Sequence, residues 1–291
     1  MIVYLNGEYV DAATATISVW DGGFLYGDGI YTTLRLYGGR PADLGAHCRR
    51  LERHAAELDL PLPLAEADFT VIAKQLAELN GLKKQDGRLR ITISRGGGPE
   101  HPLPLTGLGS LRPTVLATLT PVGPEMARWQ DEGIGVVTLD SSYARGNFPA
   151  LKTLNSLATL RALRRAAAAG CPEAILTDPD GGLLEGAVSN IFLVCDGRLF
   201  TPSHSGDFLA GRTRERILEI AAAENIEVIE KTLNRSQLGT ADEVFTASSV
   251  REVLPVTSID GRTVGQGSPG KLTRLIQRRY RSVILAALDQ T

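Results

Sequence analysis

The chain has 291 residues, 43% hydrophobic and 22% charged, which is typical of a globular protein with one large or two medium domains. No stretch approaches the roughly 18 consecutive apolar residues of a membrane-spanning helix, so no membrane association is expected. The formal net charge of −2 lacks the basic excess of a dedicated nucleic-acid-binding protein, so no nucleic acid is expected as a partner.

The cysteines and the N-terminus both bear on the cellular compartment. Cys48, Cys171 and Cys195 are odd in number and widely separated, which favours a reducing compartment over a disulfide framework. The histidines have no ligand spacing with them, so no metal site is expected. The segment MIVYLNGEYV lacks a basic region followed by an apolar one, and we therefore predict a cytoplasmic protein.

The N-terminal part of the chain alternates turn and strand signals and then becomes helical. Asn6-Gly7 between apolar residues predicts a hairpin, and the apolar stripe that begins at Leu44 has helical spacing. Gly and Pro are frequent between residues 96 and 113, which predicts a long surface loop of the kind that often forms a lid or a binding loop. The predicted elements are the hairpin, a strand at 30–37, helices from Leu44 to Leu58 and at 66–80, and strands at 88–94 and 114–120.

The rest of the chain mixes helices with strands that are often joined by hairpins, which favours an α+β fold. TPVGPEM is the best candidate for a linker, so we predict a smaller domain at 1–120, a linker at 121–132 and a larger domain at 133–291. The predicted strands are at 134–140, 173–178, 188–194, 226–231 and 243–248, with a hairpin around Asp260-Gly261. The predicted helices are at 153–169, at 212–224 and from about Ser268.

Lysine is scarce in this chain, and the setting of Lys152 is unusual. In NFPALKTLNSLATL it is the only charged residue. Burial beside apolar neighbours lowers the pKa of an amine and makes it a nucleophile able to form a Schiff base with a carbonyl. The alternative is a lysine at a helix start whose amine reaches solvent.

Four other segments carry candidate polar groups. Glu185 in LLEGAVSNIF precedes a buried strand, where a carboxylate needs a cationic or N–H partner such as a pyridinium nitrogen; the alternative is a solvated turn residue. Three further segments could bind phosphate, and each has an alternative interpretation. In chain order, the alternatives are a solvated arginine, an ordinary helix start and a plain serine turn. The segments are Arg50 in HCRRLERH, Gly211 to Thr213 in LAGRTRERI, and Ser248 with Ser249 in FTASSVRE.

A series of short motifs follows one another from about Asn6 to the C-terminal helix. They include FLYGDGIYTTLRLY, HCRRL, ITISRG, LKTLN, EAILTD, LLEGAVSNIF, DGRLFTP, GRTR and DEVFTASSVREVLPV. Each motif is weak alone, but ten in this order are specific. In these motifs and their order the chain resembles the fold-type IV pyridoxal-phosphate enzymes, which include D-amino-acid aminotransferases, branched-chain aminotransferases and 4-amino-4-deoxychorismate lyases.

The resemblance implies a smaller N-terminal and a larger C-terminal α+β domain, with pyridoxal 5'-phosphate between them and a homodimer with shared sites. Lys152 is similar to the family's Schiff-base lysine and proton shuttle, and Glu185 to the partner of the pyridine nitrogen. The phosphate ligands implied are Arg50, Thr213, Ser249, the amide of Arg212 and Ser248. Leu209 resembles the residue that packs on the ring, and Ser189 and Asn190 resemble support around Glu185.

The substrate-side residues do not follow one subfamily. Tyr31 resembles a tyrosine of the D-amino-acid enzymes, and His101 is kept from their arginine-histidine pair, but the arginine is missing. The lyases carry GDGxFTT where this chain has GDGIYTT, so the adjacent threonines Thr32 and Thr33 favour a lyase. The lyases also carry an arginine in the glycine stretch after SRG, whereas this chain has Glu100 there, where a cation would help bind an acidic substrate.

Arg90 falls where branched-chain enzymes have an arginine. Arg90, Arg251 or the backbone amides after Ser249 could hold the substrate carboxylate. The alternative for Arg90 is a solvent-facing role, and the alternative for Arg251 is to narrow the pocket.

The predicted function is therefore an aminotransferase that moves an amino group between an amino acid and a 2-oxo acid by a ping-pong mechanism. D-amino-acid or branched-chain substrates are favoured. The alternative is a lyase that releases pyruvate and 4-aminobenzoate from aminodeoxychorismate. A cofactor-binding protein without turnover ranks last, because both Lys152 and Glu185 are present.

Overall fold

Two sheets and seven α-helices are the main elements of the described part of the chain. The computed structural model describes residues 1–99, 112–144, 148–204 and 208–290. The α+β class predicted from the sequence is confirmed. Contacts divide the chain into unit 1, residues 1–122, 151–155 and 288–291, and unit 2, residues 123–150 and 156–287. Among the described residues, no helix combines the length and the apolar composition needed to cross a bilayer.

Unit 1 contains an antiparallel six-stranded sheet in the order β2-β1-β6-β5-β3-β4. Asn6 and Gly7 both have positive φ, as the tight turn between the first two strands requires. The strands are β1 (Ile2–Leu5), β2 (Glu8–Asp11), β3 (Gly29–Tyr37), β4 (Arg40–Pro41), β5 (Gly87–Ser94) and β6 (Thr114–Pro121). The helices are α1 (Gly22–Tyr26), α2 (Leu44–Glu57) and α3 (Glu66–Leu79).

The two faces of this sheet differ in polarity because side chains alternate along each strand. On β3 and β5, Ile30, Leu34, Leu89, Ile91 and Ile93 are buried in one apolar cluster with residues of α2 and α3. The intervening positions carry the half-buried residues Tyr31, Thr33, Arg90 and Thr92. The second face is therefore the polar one, and we call it the polar face.

Unit 2 contains a nine-stranded mixed sheet in the order β12-β11-β10-β13-β14-β7-β8-β9, with β15 paired to β14. Its buried side chains are mainly apolar, and the rings of the fully buried Phe192 and Phe245 stack 4.9 Å apart. The strands are β7 (Ile134–Leu139), β8 (Glu173–Thr177), β9 (Leu183–Gly186), β10 (Asn190–Cys195), β11 (Arg198–Thr201), β12 (Val228–Glu230), β13 (Glu243–Ser248), β14 (Glu252–Ile259) and β15 (Arg262–Thr263). The helices are α4 (Glu125–Glu132), α5 (Leu157–Ala168), α6 (Arg212–Ala223) and α7 (Lys271–Asp289).

Two segments differ from the predicted layout. The sequence predicts a linker at 121–132, but α4 occupies most of that range and belongs to unit 2. It also predicts a helix from residue 153, but α5 begins only at Leu157, and residues 151–155 belong to unit 1. The reason is backbone pairing of residues 152–154 with β3, which no local pattern in the sequence indicates.

Candidate active site

Lys152 lies in a short extended segment that continues the sheet of unit 1. Its carbonyl accepts a hydrogen bond from the Tyr31 amide at 2.9 Å, and the Leu154 amide donates to the Gly29 carbonyl at 2.9 Å. Thr153 forms an antiparallel bridge with Ile30. We call residues 151–155 the lysine segment. The strand β3 thus holds the backbone on both sides of the predicted Schiff-base lysine.

The side chains of Lys152, Tyr31 and Arg90 meet on the polar face. The Lys152 amine lies 4.7 Å from the centroid of the Tyr31 ring, and the Arg90 guanidinium carbon lies 3.7 Å from the same centroid. Burial lowers the pKa of Arg90, and Tyr31 acts against this shift. Such contacts between a cation and a ring are attractive. Tyr31 therefore joins the predicted lysine to one of the two predicted carboxylate anchors.

His54 is a contact of Lys152 that the sequence patterns did not identify. Its Nδ1 accepts a hydrogen bond from the Lys152 backbone amide at 3.2 Å. The ring must be unprotonated at Nδ1 to accept this bond. Burial lowers the pKa of His54 to about 4, and the positive charges of Arg50, Arg53 and Lys152 contribute to this shift. The sequence does show a histidine four residues after Arg50, on the same side of the predicted helix. No local pattern, however, indicates that the lysine segment packs against it.

Arg50 is buried on α2 beside the same strand, which argues against the solvated alternative. Its side chain is 6% exposed. The Nη2 group donates to the Thr32 hydroxyl at 2.9 Å, and that hydroxyl lies 2.7 Å from His47 Nδ1. Because a guanidinium group only donates, the Thr32 hydroxyl accepts from Arg50 and keeps its own proton available for Nδ1 of His47. The pair of Thr32 and His47 thus fixes one edge of the guanidinium group.

In unit 2, Glu185 lies on β9 just before a tight turn, and it is 3% exposed. The Gly186 amide donates to the Ser189 carbonyl at 2.7 Å, which closes the turn. We call residues 185–189 the glutamate turn. The Ser189 hydroxyl does not bond to Glu185 here; it donates to the carboxylate of Glu173 at 3.0 Å. Ser189 therefore supports Glu185 by stabilising the turn that carries it.

Asn190 connects β10 to the start of α6. Its amide group donates to the Leu209 carbonyl at 2.9 Å, and Leu209 itself is buried. A Cβ at Gly211 would lie only 2.1 Å from the side-chain oxygen of Asn190, so any larger residue there would displace this side chain. Asn190 therefore positions the backbone that leads into the N-terminus of α6.

The first turn of α6 is suited to an anion. Thr213 is 2% exposed, and its hydroxyl is buried with no hydrogen-bond partner among the described residues. No side chain of the described residues caps this helix, whose N-cap is Gly211. The Arg212 guanidinium pairs with Glu215 and Glu219, so its amide is the part of Arg212 suited to an anion. Helix N-termini bind phosphate groups, and a buried hydroxyl without a partner fits such a ligand.

Ser248 and Ser249 lie where β13 turns into β14. Ser248 ends β13 and is paired with Glu252, and both serines are half-buried. We call residues 248–251 the serine turn. Arg251, which ends this turn, donates to the buried carboxylate of Glu173 at 3.1 Å and to the Pro172 carbonyl at 3.3 Å. Arg251 is thus engaged inside unit 2, whereas His101 lies outside the described residues.

The structure groups the predicted site residues in two sets. In unit 1, Lys152, Tyr31 and Arg90 lie together, and Arg50 lies on the neighbouring helix. The set in unit 2 consists of Glu185, Ser189, Asn190, Leu209, Arg212, Thr213, Ser248, Ser249 and Arg251. A basic amine, a buried carboxylate and a phosphate-compatible helix start are the groups that pyridoxal phosphate needs, so the residues present fit this cofactor.

Comparison with known proteins gives the same assignment. The pattern of the family described as amino-transferase class IV matches residues 29–259. The chain is 33% identical to a D-alanine aminotransferase of Bacillus licheniformis over 100% of both chains. It is also 33% identical, over 97% of this chain and 96% of the other, to a Methanocaldococcus jannaschii protein named provisionally as a branched-chain-amino-acid aminotransferase. An aminodeoxychorismate lyase of Bacillus subtilis is 32% identical over 97% of this chain and 94% of its own length.

Solved structures agree with these relatives. The branched-chain amino acid aminotransferase of Escherichia coli superposes with a TM-score of 0.86 at 29% identity, covering 97% of this chain and 94% of that one. The branched-chain aminotransferase of the archaeon Thermoproteus uzoniensis, solved with norvaline, gives a TM-score of 0.86 at 28% identity, covering 98% and 95%. Another branched-chain amino acid aminotransferase of this fold, 27% identical, was solved with pyridoxamine 5'-phosphate. The chain therefore belongs to the class IV aminotransferases and is a pyridoxal-phosphate-dependent enzyme of that family.

Proposed function

We propose that this enzyme moves an amino group between a D-amino acid or a branched-chain amino acid and a 2-oxo acid. The observation that carries the proposal is the cluster on the polar face, where the Lys152 amine and the Arg90 guanidinium approach one tyrosine ring. An amine that moves a proton at the α-carbon and a cation that holds the carboxylate of the same amino acid must lie close together. Unit 1 supplies both.

The residues of unit 1 have distinct roles in this proposal. Lys152 carries the proton from and to the substrate α-carbon, and the bonds of its segment to β3 and His54 fix its backbone. Arg90 binds the substrate carboxylate, with Tyr31 holding its guanidinium group in place. Arg50, fixed by Thr32, binds the cofactor phosphate.

The residues of unit 2 hold the remaining parts of the cofactor. Bound pyridoxal phosphate supplies an electron sink for the charge that develops at the substrate α-carbon. Glu185 keeps the pyridine nitrogen protonated, because a buried carboxylate favours a positive partner. Leu209 packs on the ring. The amide of Arg212 and the hydroxyls of Thr213, Ser248 and Ser249 bind phosphate oxygens.

The lyase is the second candidate, since one relative at 32% identity is an aminodeoxychorismate lyase. The adjacent threonines Thr32 and Thr33 favour it at the level of sequence. In the structure, however, the Thr32 hydroxyl lies within hydrogen-bond distance of His47 and Arg50, and its residue is fully buried on the core side of β3. Of the two threonines, only Thr33 lies on the polar face with Lys152. The pair of threonines therefore does not act together at this face, which supports the aminotransferase.

Absorbance of the purified enzyme with pyridoxal phosphate tests the proposal. L-leucine, D-alanine and aminodeoxychorismate are added separately, and the visible band is followed before and after addition of a 2-oxo acid. We expect one of the two amino acids to bleach the band and the 2-oxo acid to restore it, which also gives the handedness of the substrate. If neither bleaches it while aminodeoxychorismate yields pyruvate, the lyase assignment replaces this one.

We further propose that the enzyme is a homodimer, with α1 and the residues before it at the interface. Ile17, Val19, Trp20, Phe24, Leu25 and Tyr26 are 40% to 68% exposed. The segment is nevertheless held firmly, because buried Asp21 accepts hydrogen bonds from the amides of Gly23 and Phe24 and from the hydroxyls of Ser94 and Thr114. A rigid apolar patch of this kind is typical of an interface between proteins.

Sedimentation of the wild type and of a Val19→Asp/Phe24→Asp variant tests this dimer. The wild type should sediment as a dimer and the variant as a monomer. A wild type that is monomeric at micromolar concentration contradicts the proposal.

We also propose a cytoplasmic location, since Cys48, Cys171 and Cys195 are all free thiols in the structure.

A further inference from the structure

Glu173 is a fully buried carboxylate that the roles assigned above do not use. It is 0% exposed and lies at the start of β8. One of its oxygens accepts from the Ser189 hydroxyl at 3.0 Å and from Arg251 Nη1 at 3.1 Å, and the other accepts from the Ala174 amide at 2.9 Å. Burial raises the pKa of Glu173, and the charge of Arg251 acts against this rise. A buried carboxylate with one cationic partner depends strongly on that partner.

Arg251 is held on several sides in addition to its pair with Glu173. Its guanidinium also donates to the Pro172 carbonyl at 3.3 Å and lies 5.7 Å from the centroid of the Trp129 ring. Its own carbonyl accepts from the Gln130 side chain at 3.0 Å. A side chain with these contacts has little freedom to swing toward a substrate. This geometry favours a structural task for Arg251 over the anchoring of a substrate carboxylate.

The partners of Glu173 lie on two turns with different predicted ligands. Ser189 ends the glutamate turn, which carries Glu185, and Arg251 ends the serine turn, which carries Ser248 and Ser249. The packing at Gly186 is close, since a Cβ there would lie 2.2 Å from the Ser189 hydroxyl and 3.4 Å from the Glu173 carboxyl carbon. Glu173 is therefore a direct link between the two turns.

We propose that Arg251 is a positioning residue that acts through Glu173 to fix the separation of the glutamate turn and the serine turn. This inference rests on the proposed roles of Glu185 and the two serines. The ring nitrogen and the phosphate of pyridoxal phosphate are held apart by a rigid aromatic ring. Groups that bind both ends must keep a fixed separation, and small misplacements of such groups are costly.

Four proteins test this link: the wild type, Arg251→Met, Glu173→Gln and the double variant. The dissociation constant of pyridoxal phosphate is measured by fluorescence quenching of each apoprotein, with inorganic phosphate as a competitor. Arg251→Met should weaken pyridoxal phosphate binding on the order of 10- to 100-fold, because it leaves the buried carboxylate without its cation. Inorganic phosphate contacts only one end of the site, so its competition constant should stay within about twofold.

The double variant is the decisive comparison. The neutral amide of Glu173→Gln needs no cation, so adding it to Arg251→Met should restore cofactor affinity to within about threefold of the wild type. The thermal midpoint of the apoprotein should recover in parallel. At saturating cofactor, the KM for the amino acid should be the same in Arg251→Met and the wild type.

Three results would overturn the proposal. A raised KM for the amino acid in Arg251→Met with unchanged cofactor affinity would make Arg251 a substrate anchor. Equal losses of affinity for pyridoxal phosphate and inorganic phosphate would show that the serine turn itself collapses. Failure of Glu173→Gln to rescue would show that Arg251 does not act through Glu173. If the wild type does not bind pyridoxal phosphate at all, the proposed function fails first, which is a separate outcome.

Discussion

The imidazole of His54 accepts a hydrogen bond from the backbone amide of Lys152, with 3.2 Å between Nδ1 and the amide nitrogen. The residues are far apart in the chain, yet the bond places a neutral histidine next to a lysine and two arginines. The histidine remains neutral because burial and these positive charges both disfavour its protonated form. Its protonation is therefore coupled to unfolding.

The stability of the apoprotein should fall as the pH is lowered from about 6.5 to about 4. The pKa of His54 is lowered from 6.5 to about 4 in the folded chain, so only the unfolded chain binds this proton within that window. Protonation of His54 in the unfolded chain alone should lower the free energy of unfolding by about 3 kcal/mol across this window. Urea unfolding of the wild type and of His54→Asn across this pH range measures the effect.

The matched variant separates His54 from the carboxylates, which titrate in the same range. The oxygen of Asn can accept the Lys152 amide but does not titrate. The stability of the wild type relative to His54→Asn should decrease as the pH falls. Parallel pH profiles for the two proteins would contradict a neutral, bonded His54.

Lys152→Ala should lose the visible band and nearly all turnover. Removal of the amine takes away both the proposed covalent partner of the cofactor and the proposed carrier of the α-proton, so we expect a loss of about 10³-fold or more. Absorbance and single-turnover kinetics measure it. Lys74→Ala is the control, because Lys74 is exposed on α3. Substantial residual turnover in Lys152→Ala would refute the assignment.

Thr213→Val should weaken cofactor binding without destabilising the apoprotein. The buried hydroxyl has no partner among the described residues, so its replacement by a methyl group of the same shape should be neutral or slightly stabilising. Loss of one hydrogen bond to a charged phosphate should raise the dissociation constant of pyridoxal phosphate about tenfold or more. Exposed Thr240 supplies the control variant Thr240→Val. An unchanged dissociation constant would remove Thr213 from the phosphate site.

Arg90→Met should raise the KM for the amino acid by about 10- to 100-fold, because the proposed charge-assisted contact between half-buried Arg90 and the substrate carboxylate is lost. The matched control is Arg88→Met, since Arg88 lies two residues earlier on β5 and is exposed. Steady-state kinetics at saturating cofactor separate the two variants. Equal KM values in Arg90→Met and Arg88→Met would show that Arg90 does not hold the substrate.

The parts of the fold with strong local signals could be predicted from the sequence. Asn6-Gly7 specifies its hairpin because few residues tolerate the positive φ of that turn, and the stripe beginning at Leu44 gives a helix of nearly the predicted length. The family and its cofactor followed from the order of many weak motifs. The start of the helix predicted near residue 153 could not be placed correctly from the sequence, because the lysine segment pairs with a strand more than a hundred residues earlier.

The supporting contacts of the site were also beyond local patterns. His54 and Glu173 look like ordinary helix and strand residues, and their importance comes from distant partners, the Lys152 amide and the Arg251 guanidinium. The sequence marks Arg251 as a cation near the serines, but the direction of its side chain depends on a carboxylate elsewhere in the chain. Pairwise contacts of this kind require the folded structure.

The pairing of the lysine segment with β3 also constrains how the enzyme is made. During synthesis, residues 1–122 emerge with the strand that will receive Thr153, but its partner is translated only later. A folding intermediate built from the first sheet alone therefore lacks Lys152, the proposed catalytic amine. Closure of so long a loop is entropically costly and tends to be slow. Competence to load the cofactor should consequently appear late in folding, after the first sheet has already formed.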